Sequence, residues 1–318
     1  MSSNATHGEG RTALVLGVNG QDGSYLAERL AHNGWHVVGT SRQAAARPEL
    51  AGLLAAYHAL DLTDTAALQQ LLPAVQPDAI FHTAAVHGAA GFRYEDVWHS
   101  AHAVNTLSLH AVLDHARGAR PGVQVVYFSS AKVFGELQGR VIDEATPRVS
   151  TCIYSITKNA AADLVQYYRA RHGVAASVVW LFNHESARRP GPFFVPQVLD
   201  ALAKSLADRR HKATLGSLDF WCDWGHAQEY MALLADGCDA LRGQDVVLAT
   251  GHTVWARDVV TELFAGAGLA VGDHITTATV QPRQLATAWR ADVAKFERLT
   301  GARPTLSGVA VFRQIAGG

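Results

Sequence analysis

The chain has 318 residues, 48% of them hydrophobic and 17% charged, which is typical of a globular protein with a sizeable core. Its 27 basic and 28 acidic residues give a formal net charge of −1. That balance argues against a nucleic-acid-binding protein, because such proteins carry a basic excess. The three cysteines form no CxxC pair, and neither a signal peptide nor a membrane-spanning run is apparent. We therefore expect a cytoplasmic protein with no membrane partner, no nucleic-acid partner and no metal site.

The first forty residues predict a strand, a glycine-rich turn, a helix and a second strand. Residues 12–18 are a short apolar run, residues 24–33 have one apolar face, and residues 35–41 are again apolar. Between the first strand and the helix, Gly17, Gly20 and Gly23 give the pattern GxxGxxG. Such a loop lets the backbone approach a pyrophosphate at a helix N-terminus. This context favours a dinucleotide-binding loop over an ordinary strand–helix turn.

The alternation of helices and strands continues to residue 182. Helices are predicted at 65–72, 100–116 and 151–172, and strands at 79–83, 123–129 and 175–182. This order predicts an α/β fold with a doubly wound parallel Rossmann sheet. We expect residues 1–183 to form an NADP-binding domain. Residues 184–318 should form mainly a smaller, substrate-binding lobe, with part of 219–256 returning to the first domain.

The residues after the second and third strands bear on the choice of cofactor. NAD-binding proteins usually carry an acidic residue after the second strand, but here the strand ends in Ser41 and Arg42. Arg42 could pair with a 2′-phosphate, so NADP is favoured over NAD, although a solvated surface arginine is the plainer interpretation. Asp61 lies where adenine would sit, and helix capping by Thr63 or Asp64 is an alternative reason for that polar run.

A tyrosine and a lysine lie one helical turn apart at Tyr154 and Lys158. A nearby ammonium stabilises a phenolate, so this pair is suited to general base catalysis. Ser129 and Ser130 end the preceding strand at its carboxyl edge, where open α/β sheets place their ligands. There a serine hydroxyl can donate to the oxygen that the tyrosine deprotonates, or simply cap the turn.

Several strings resemble the extended short-chain dehydrogenases that act on nucleotide sugars, and most closely the GDP-mannose 4,6-dehydratases. They are GVNGQDGSYLAE at 17–28, LFNHES at 181–186 followed by Arg188 and Arg189, DWGHA at 223–227, and ATG at 249–251. The resemblance implies a cofactor that is reduced and reoxidised within one turnover on a nucleotide-diphosphate sugar. It also implies a homodimer or homotetramer.

The resemblance assigns catalysis to Ser130, Tyr154 and Lys158, with Tyr154 taking the proton of the sugar O4. His184 and Arg189 match cofactor-contacting positions of the family. Together with the motifs above, the expected cofactor contacts are Gly17, Asn19, Gly20, Gln21, Asp22, Gly23, Arg42, Asp61, Leu62, Thr83, Ala84, Ala85, Tyr154, Lys158, His184 and Arg189. The expected substrate contacts are His87, Ser129, Asn183 and Glu185.

The sequence departs from the family at Lys132. The dehydratases carry a glutamate there, two residues after the hydroxyl residue, which acts at C5 and C6 of the sugar. Without that acid, a nucleotide-sugar 4-epimerase is favoured, and a 4,6-dehydratase using Lys132 is the alternative. A non-catalytic NADP-binding sensor is a third hypothesis, which the Tyr154–Lys158 pair disfavours. The basic residues thought to hold the GDP diphosphate are also replaced, by residues 195–198 and Cys222, so the nucleotide stays open.

Overall fold

The structure is a computed structural model that describes residues 10–89, 91–280 and 286–317. The strands are β1 Thr12–Leu16, β2 His36–Ser41, β3 Ala56–Ala59, β4 Ala79–His82, β5 Gln124–Ser130, β6 Val141–Ile142, β7 Ala175–Leu181, β8 His184–Glu185, β9 Ala213–Leu215, β10 Trp221–Asp223, β11 Gly225–His226, β12 Val246–Leu248, β13 Thr253–Trp255, β14 Ile275–Thr277 and β15 Arg290–Ala291. The α-helices are α1 Gln21–His32, α2 Thr65–Val75, α3 Trp98–His102, α4 Ser108–Gly118, α5 Ile153–His172, α6 Phe194–Ala207, α7 Ala227–Asp236, α8 Ala256–Gly266, α9 Val271–His274, α10 Ala294–Thr300 and α11 Val309–Gly317.

A seven-stranded sheet lies at the centre, in the order β12-β7-β5-β4-β1-β2-β3. Every neighbouring pair in it is parallel. The strand order reverses between β1 and β4, because β2 and β3 lie on one side of β1 while the later strands lie on the other. In such sheets a crevice opens at this reversal, outside the carboxyl ends of the strands. The predicted doubly wound parallel sheet is confirmed.

The sheet is apolar on both faces, as helices on both sides require. Along β1, Leu14 and Leu16 pack with the cluster that contains residues of α2, α4 and α5. Ala13 and Val15 point the other way, into the cluster that contains residues of α1 and α7. This two-residue alternation explains why the strand reads as an unbroken apolar run rather than as alternating polar and apolar residues.

The helix predicted at 100–116 is longer and is interrupted. It consists of α3, a π-helical segment at Ala103–Leu107 and α4. Asn105 lies in the π segment, where its side chain accepts from Val86 N at 2.8 Å and donates to Thr157 Oγ1 at 2.9 Å. Its carbonyl accepts from the Tyr127 hydroxyl at 3.0 Å. These contacts tie the loop after β4 to α5, and the local widening of the helix turns Asn105 towards them.

The chain returns to the central sheet after residue 219. Strand β12 pairs with β7 at its edge, and α7 packs on α1, where Arg29 donates two hydrogen bonds of 2.7 Å to Asp236. A third apolar cluster joins residues of α6, α8 and α11 around Trp224 and Phe264. The division of the chain at residue 183 stays a prediction. Among the described residues, no helix is both long and apolar enough to cross a bilayer.

Candidate active site

The glycine loop (residues 17–23) is shaped by close backbone approaches. Gly17 has φ +94°, and a Cβ on it would lie 2.8 Å from the Cα of Ala84. A Cβ on Gly23 would lie 2.3 Å from the carbonyl oxygen of Gly17. Neither position accepts a larger residue, because the turn is tight and α1 begins against the end of β1. The N-terminus of α1 is thereby presented at the crevice between β1 and β4, where an anion is stabilised.

A cleft of about 850 Å³ opens at this point. Its walls include fourteen of the residues expected to contact cofactor or substrate: Gly17, Asn19, Gly20, Gln21, Asp22, Gly23, Arg42, Asp61, Leu62, Thr83, Ala84, Ala85, His87 and Arg189. The cleft runs from the polar residues after β2 and β3, across the glycine loop, to the loop that follows β4. A glycine cradle at a helix N-terminus, flanked by a longer cleft, fits a dinucleotide.

The end of the cleft that follows β2 and β3 resolves one ambiguity of the sequence. Asp64 caps α2 by accepting from Ala67 N at 3.0 Å. Asp61 instead accepts from the backbone and hydroxyl of Thr63, both at 2.9 Å, and it remains part of the cleft wall. Arg42 is exposed on the same wall, and no ion pair is recorded for it among the described residues. Its guanidinium is therefore available to an anion.

Sequence reasoning missed the segment that folds over the glycine loop. The side chain of Asn19 donates to the Gln43 side chain and to the carbonyl of Ala45, both at 2.8 Å. It also accepts from Arg47 N at 3.0 Å. Arg47 is itself paired with Glu49 at 2.8 Å. The signal that could have drawn attention to this segment is the pair of arginines that follows β2.

The three residues expected to be catalytic are brought together beside the cleft. Tyr154 and Lys158 lie on one face of α5, and Ser130 ends the neighbouring β5. The Lys158 ammonium is buried, 5.8 Å from the centre of the Tyr154 ring, and donates to the carbonyl of Phe128 at 2.7 Å. Burial lowers the pKa of Lys158 to about 7, against the opposing charge of Asp22.

The Tyr154 phenol is 9% exposed. Burial raises its pKa, while a hydrogen bond with Ser130 opposes the rise. A bound substrate oxygen would meet both hydroxyl groups at this point. The hydroxyl groups of Ser130 and Tyr154 can therefore donate a proton to an alcohol oxygen placed between them, or remove a proton from it.

Aromatic rings enclose Tyr154 on its cleft side. His87 lies 5.7 Å from the Tyr154 ring, and Tyr94 stacks on it at 5.8 Å with an interplanar angle of 29°. Phe193 packs against His87 at 5.0 Å. Burial lowers the pKa of His87 to about 4, with the positive charges of Arg189 and Lys158 adding to the effect. His87 is therefore a neutral imidazole at neutral pH. Sequence reasoning missed Tyr94 and Phe193.

The loop after β7 is fastened to α1 by charged contacts. His184 Nδ1 lies 2.7 Å from the carbonyl of Phe182, and its Nε2 lies 2.9 Å from the carboxylate of Asp22. Arg189 donates to Glu185 at 2.9 Å and to the carbonyl of His184 at 2.6 Å. Glu185 is 5% exposed and is engaged by Arg189. His184 and Glu185 are absent from the cleft wall, so their roles in binding stay predictions.

A second cavity of about 320 Å³ is lined by Ala131, the residue that follows Ser130. Lys132 and Asn183 line it, together with Asp219, Trp221 and Cys222. Ser129, expected to bind substrate, is buried, and its hydroxyl has no hydrogen-bond partner within the described part of the chain. Across residues 10–89, 91–280 and 286–317, no group of three or more His, Cys, Asp or Glu side chains is arranged to hold a metal ion.

Comparison with known proteins places this site in a family. The family model described as GDP-mannose 4,6 dehydratase matches residues 14–305. The chain belongs to the GDP-mannose 4,6-dehydratase family. It is 31% identical over 276 residues to the GDP-mannose 4,6-dehydratase of Sinorhizobium fredii, covering 82% of this chain and 78% of that protein. The Yersinia enterocolitica GDP-mannose 4,6-dehydratase is 30% identical, with 82% and 73% covered.

A third relative is a GDP-mannose 4,6-dehydratase of Sordaria araneosa, 31% identical over 82% of this chain. This chain spans about half of its length, since 49% of it is matched. The prediction of an extended short-chain dehydrogenase of the nucleotide-sugar group is confirmed at the level of family, and so is the prediction of a nicotinamide-dependent enzyme.

Solved structures share the fold. A dTDP-glucose 4,6-dehydratase from Bacillus anthracis, in complex with NAD, aligns with a TM-score of 0.81 at 15% identity over 96% of both chains. A UDP-Glc/GlcNAc 4-epimerase from Campylobacter jejuni gives 0.77 at 17% identity, with 96% of this chain and 98% of that one covered. RMD from Pseudomonas aeruginosa, complexed with NADPH, gives 0.78 at 20% identity with the same coverage. The fold therefore occurs with either nicotinamide dinucleotide and with more than one reaction.

Proposed function

We propose that this protein is a nucleotide-sugar 4-epimerase that works by transient oxidation at C4 with a bound NADP. The proposal rests on two features of the described residues. The Ser130, Tyr154 and Lys158 side chains meet at the end of the dinucleotide cleft, and the neighbouring second cavity presents a lysine where a proton-donating acid would be needed for dehydration.

The residues of the site divide the chemistry between them. The chemistry that the nicotinamide supplies is acceptance of a hydride from C4 and its later return to C4. Ser130 donates a hydrogen bond to O4, and Tyr154 takes the O4 proton and later gives it back. Lys158 places its amino group 5.8 Å from the centre of the phenol ring, and in its charged form this group favours the phenolate. The aromatic enclosure by His87 and Tyr94 keeps water from the reacting oxygen.

The observation that carries the choice of epimerase is the state of the carboxylates near the second cavity. Expelling a C6 hydroxyl requires a proton donor. Asp219 lines the cavity but accepts two hydrogen bonds from Arg257, at 2.7 and 2.9 Å. Glu185 is engaged by Arg189. Glu136, between the lining residues Gly135 and Leu137, is exposed and is not part of the cavity wall. Lys132 is the ionisable side chain nearest Ser130 in sequence that lines the cavity, and an epimerase needs no acid there.

The names of the relatives favour a second candidate, a 4,6-dehydratase. In that reaction Lys132 would remove the C5 proton, a role open to a lysine that becomes desolvated when substrate binds. A non-catalytic NADP-binding sensor is a weaker candidate, because a sensor has no use for a buried lysine beside a buried tyrosine.

Reaction in D₂O distinguishes these candidates. The protein is incubated with GDP-, UDP-, dTDP-, CDP- and ADP-hexoses and with the corresponding hexuronates, and products are analysed by NMR and mass spectrometry. An epimerase inverts C4, conserves the mass apart from exchangeable positions and leaves C5 free of deuterium. Loss of water, or deuterium at C5, would replace the epimerase with the dehydratase. Bound cofactor without turnover across the panel would favour the sensor.

A further inference from the structure

Lys132 lies two residues after Ser130, on the wall of the second cavity. It belongs to the short 3₁₀ helix Ala131–Phe134 that follows β5. Its backbone N–H donates to the Ser130 hydroxyl at 3.3 Å, which fixes the start of that helix relative to the serine. The side chain is exposed and lines the second cavity together with Asn183 and Gln138. The backbone of Lys132 is therefore fixed beside the Ser130 hydroxyl.

The positive charge of Lys132 is not neutralised within the described protein. The carboxylate that lines the same cavity, Asp219, is engaged by Arg257. No ion pair is recorded for Lys132 itself among residues 10–89, 91–280 and 286–317. Burial raises the pKa of the Cys222 thiol across the cavity, the charges of Asp223 and Glu185 add to that rise, and Lys132 opposes it. Lys132 thus brings to the wall of the second cavity a positive charge that is not paired within the described residues.

We infer that the substrate carries a carboxylate at C6, making it a nucleotide-diphosphate hexuronate, and that Lys132 binds this carboxylate. The inference rests on the proposed C4 chemistry, which places the sugar ring between Ser130 and Tyr154. The substituents nearest to C4 are those on C3 and C5, whereas the diphosphate is attached at C1, on the opposite side of the ring. A cation anchored two residues from Ser130 therefore meets a group on C3 or C5 rather than the diphosphate, and of these two positions only C5 carries an exocyclic carbon, C6, that can be a carboxylate.

A second observation leads to the same substrate. A hexuronate has no C6 hydroxyl to expel, so its enzyme needs no acid at that position. A carboxylate at C6 of the substrate therefore explains both the absence of an acid at this position and the presence of the unpaired Lys132. An ammonium on the carboxylate also stabilises it as an anion, which opposes loss of CO₂ from the 4-keto uronate that forms when C4 is oxidised.

Matched pairs of ligands test the inference by calorimetry. The pairs are UDP-glucuronate with UDP-glucose and GDP-mannuronate with GDP-mannose, measured on the cofactor-loaded protein. At least one uronate should bind about tenfold more tightly than its neutral partner. Lys132→Met should abolish that difference, Lys132→Arg should retain part of it, and Lys212→Met, which removes an exposed lysine outside both cavities, should leave it unchanged.

The outcomes separate this inference from the proposed function. If no uronate binds more tightly than its neutral partner, or if Lys132→Met weakens both members of a pair and UDP or GDP equally, the carboxylate assignment is overturned. Turnover of a neutral hexose to its C4 epimer, with no preference for uronates, overturns the inference while sustaining the epimerase. Preferred binding of a uronate that then loses CO₂ sustains the substrate class and overturns the epimerase.

Discussion

The imidazole of His184 donates through both of its nitrogens, one of them to the carboxylate of Asp22 at 2.9 Å. Since Nδ1 faces a carbonyl and Nε2 a carboxylate, both must carry protons, and His184 is an imidazolium. Burial disfavours that charge, yet Asp22 raises the pKa of His184 above its usual value. The same pairing holds the pKa of Asp22 below its usual value although burial acts to raise it. This ion pair joins the start of α1 to the loop after β7.

Asp22→Asn should destabilise the cofactor-free protein by about 3 kcal/mol, because it leaves a buried imidazole without its counter-charge. The stabilisation from His184 is full below its unfolded pKa, near 6.5, and is lost as the pH rises through its higher folded pKa. The stabilisation from Asp22 is present above its unfolded pKa, near 3.8, and is lost only as the pH falls through its lower folded pKa.

The difference in unfolding free energy between wild type and Asp22→Asn should therefore be largest between these two values and shrink towards about pH 9. Urea titrations at about pH 5.5 and about pH 9 measure it. Asp96→Asn, which loses an exposed ion pair with Arg93, is the control and should show little effect at either pH. An equal loss for Asp22→Asn at both pH values would contradict the ion pair.

Tyr154→Phe should lower the rate of hydride transfer from C4 by a factor of roughly 10² to 10⁴, because the ring remains but the ionisable oxygen is lost. Single-turnover formation of the reduced cofactor, followed by absorbance, measures this rate. Tyr167→Phe on the exposed side of the same helix should leave it unchanged. Near-normal turnover by Tyr154→Phe would remove the phenol from the mechanism.

Lys158→Met should shift the pH dependence of turnover as well as lower the rate. Because burial lowers the pKa of Lys158 to about 7, its ammonium favours the phenolate mainly below that pH, and Lys158→Met should lower kcat most in that range. Cofactor affinity should fall too, because Lys158 is one of the expected cofactor contacts. Stopped-flow rates between about pH 6 and pH 10 test the shift. Lys204→Met, at an exposed pair with Asp200, is the matched control, and an unshifted profile for Lys158→Met would confine Lys158 to a structural role.

Arg42→Ala should weaken NADP binding about tenfold and leave NAD binding nearly unchanged, because only NADP carries the 2′-phosphate that this guanidinium can pair with. Calorimetric titration of both dinucleotides into cofactor-stripped protein measures the two affinities. Arg303→Ala changes an exposed arginine away from the cleft and controls for charge alone. Stronger binding of NAD than NADP by the wild type would refute the choice of cofactor.

The sequence predicted the parts of the fold that depend on local pattern. Strands β1, β5 and β7 are apolar runs, and α1 and α5 have clear helical periodicity, so each lies within a few residues of its expected place. Strand β12 has only three residues, Val246–Leu248, too few for a periodic signal. The π segment around Asn105 depends on partners distant in sequence, Val86 and Thr157, which no local pattern reveals.

In the candidate site, too, local sequence pattern predicted some residues, whereas tertiary packing determines the positions of others. Ser130, Tyr154 and Lys158 were predictable because a strand end and one helical turn place them. Tyr94 and Phe193 come from loops whose courses are determined by tertiary packing, so nothing in their local sequence places them beside Tyr154. The ion pairs that occupy Asp219 and Glu185 depend on arginines whose positions only the folded chain determines.

Strand β12 follows β7 only after a long stretch of sequence, and this separation limits where the chain can be truncated. About 65 residues separate β7 from the strand that covers its outer edge. A fragment ending after β7 would expose the backbone of that strand, whose residues from Ala176 to Leu181 are all buried here. An uncovered apolar strand edge invites pairing with another chain. Fragments ending near residue 183 should therefore self-associate, so the dinucleotide cleft is best studied in a chain that includes β12.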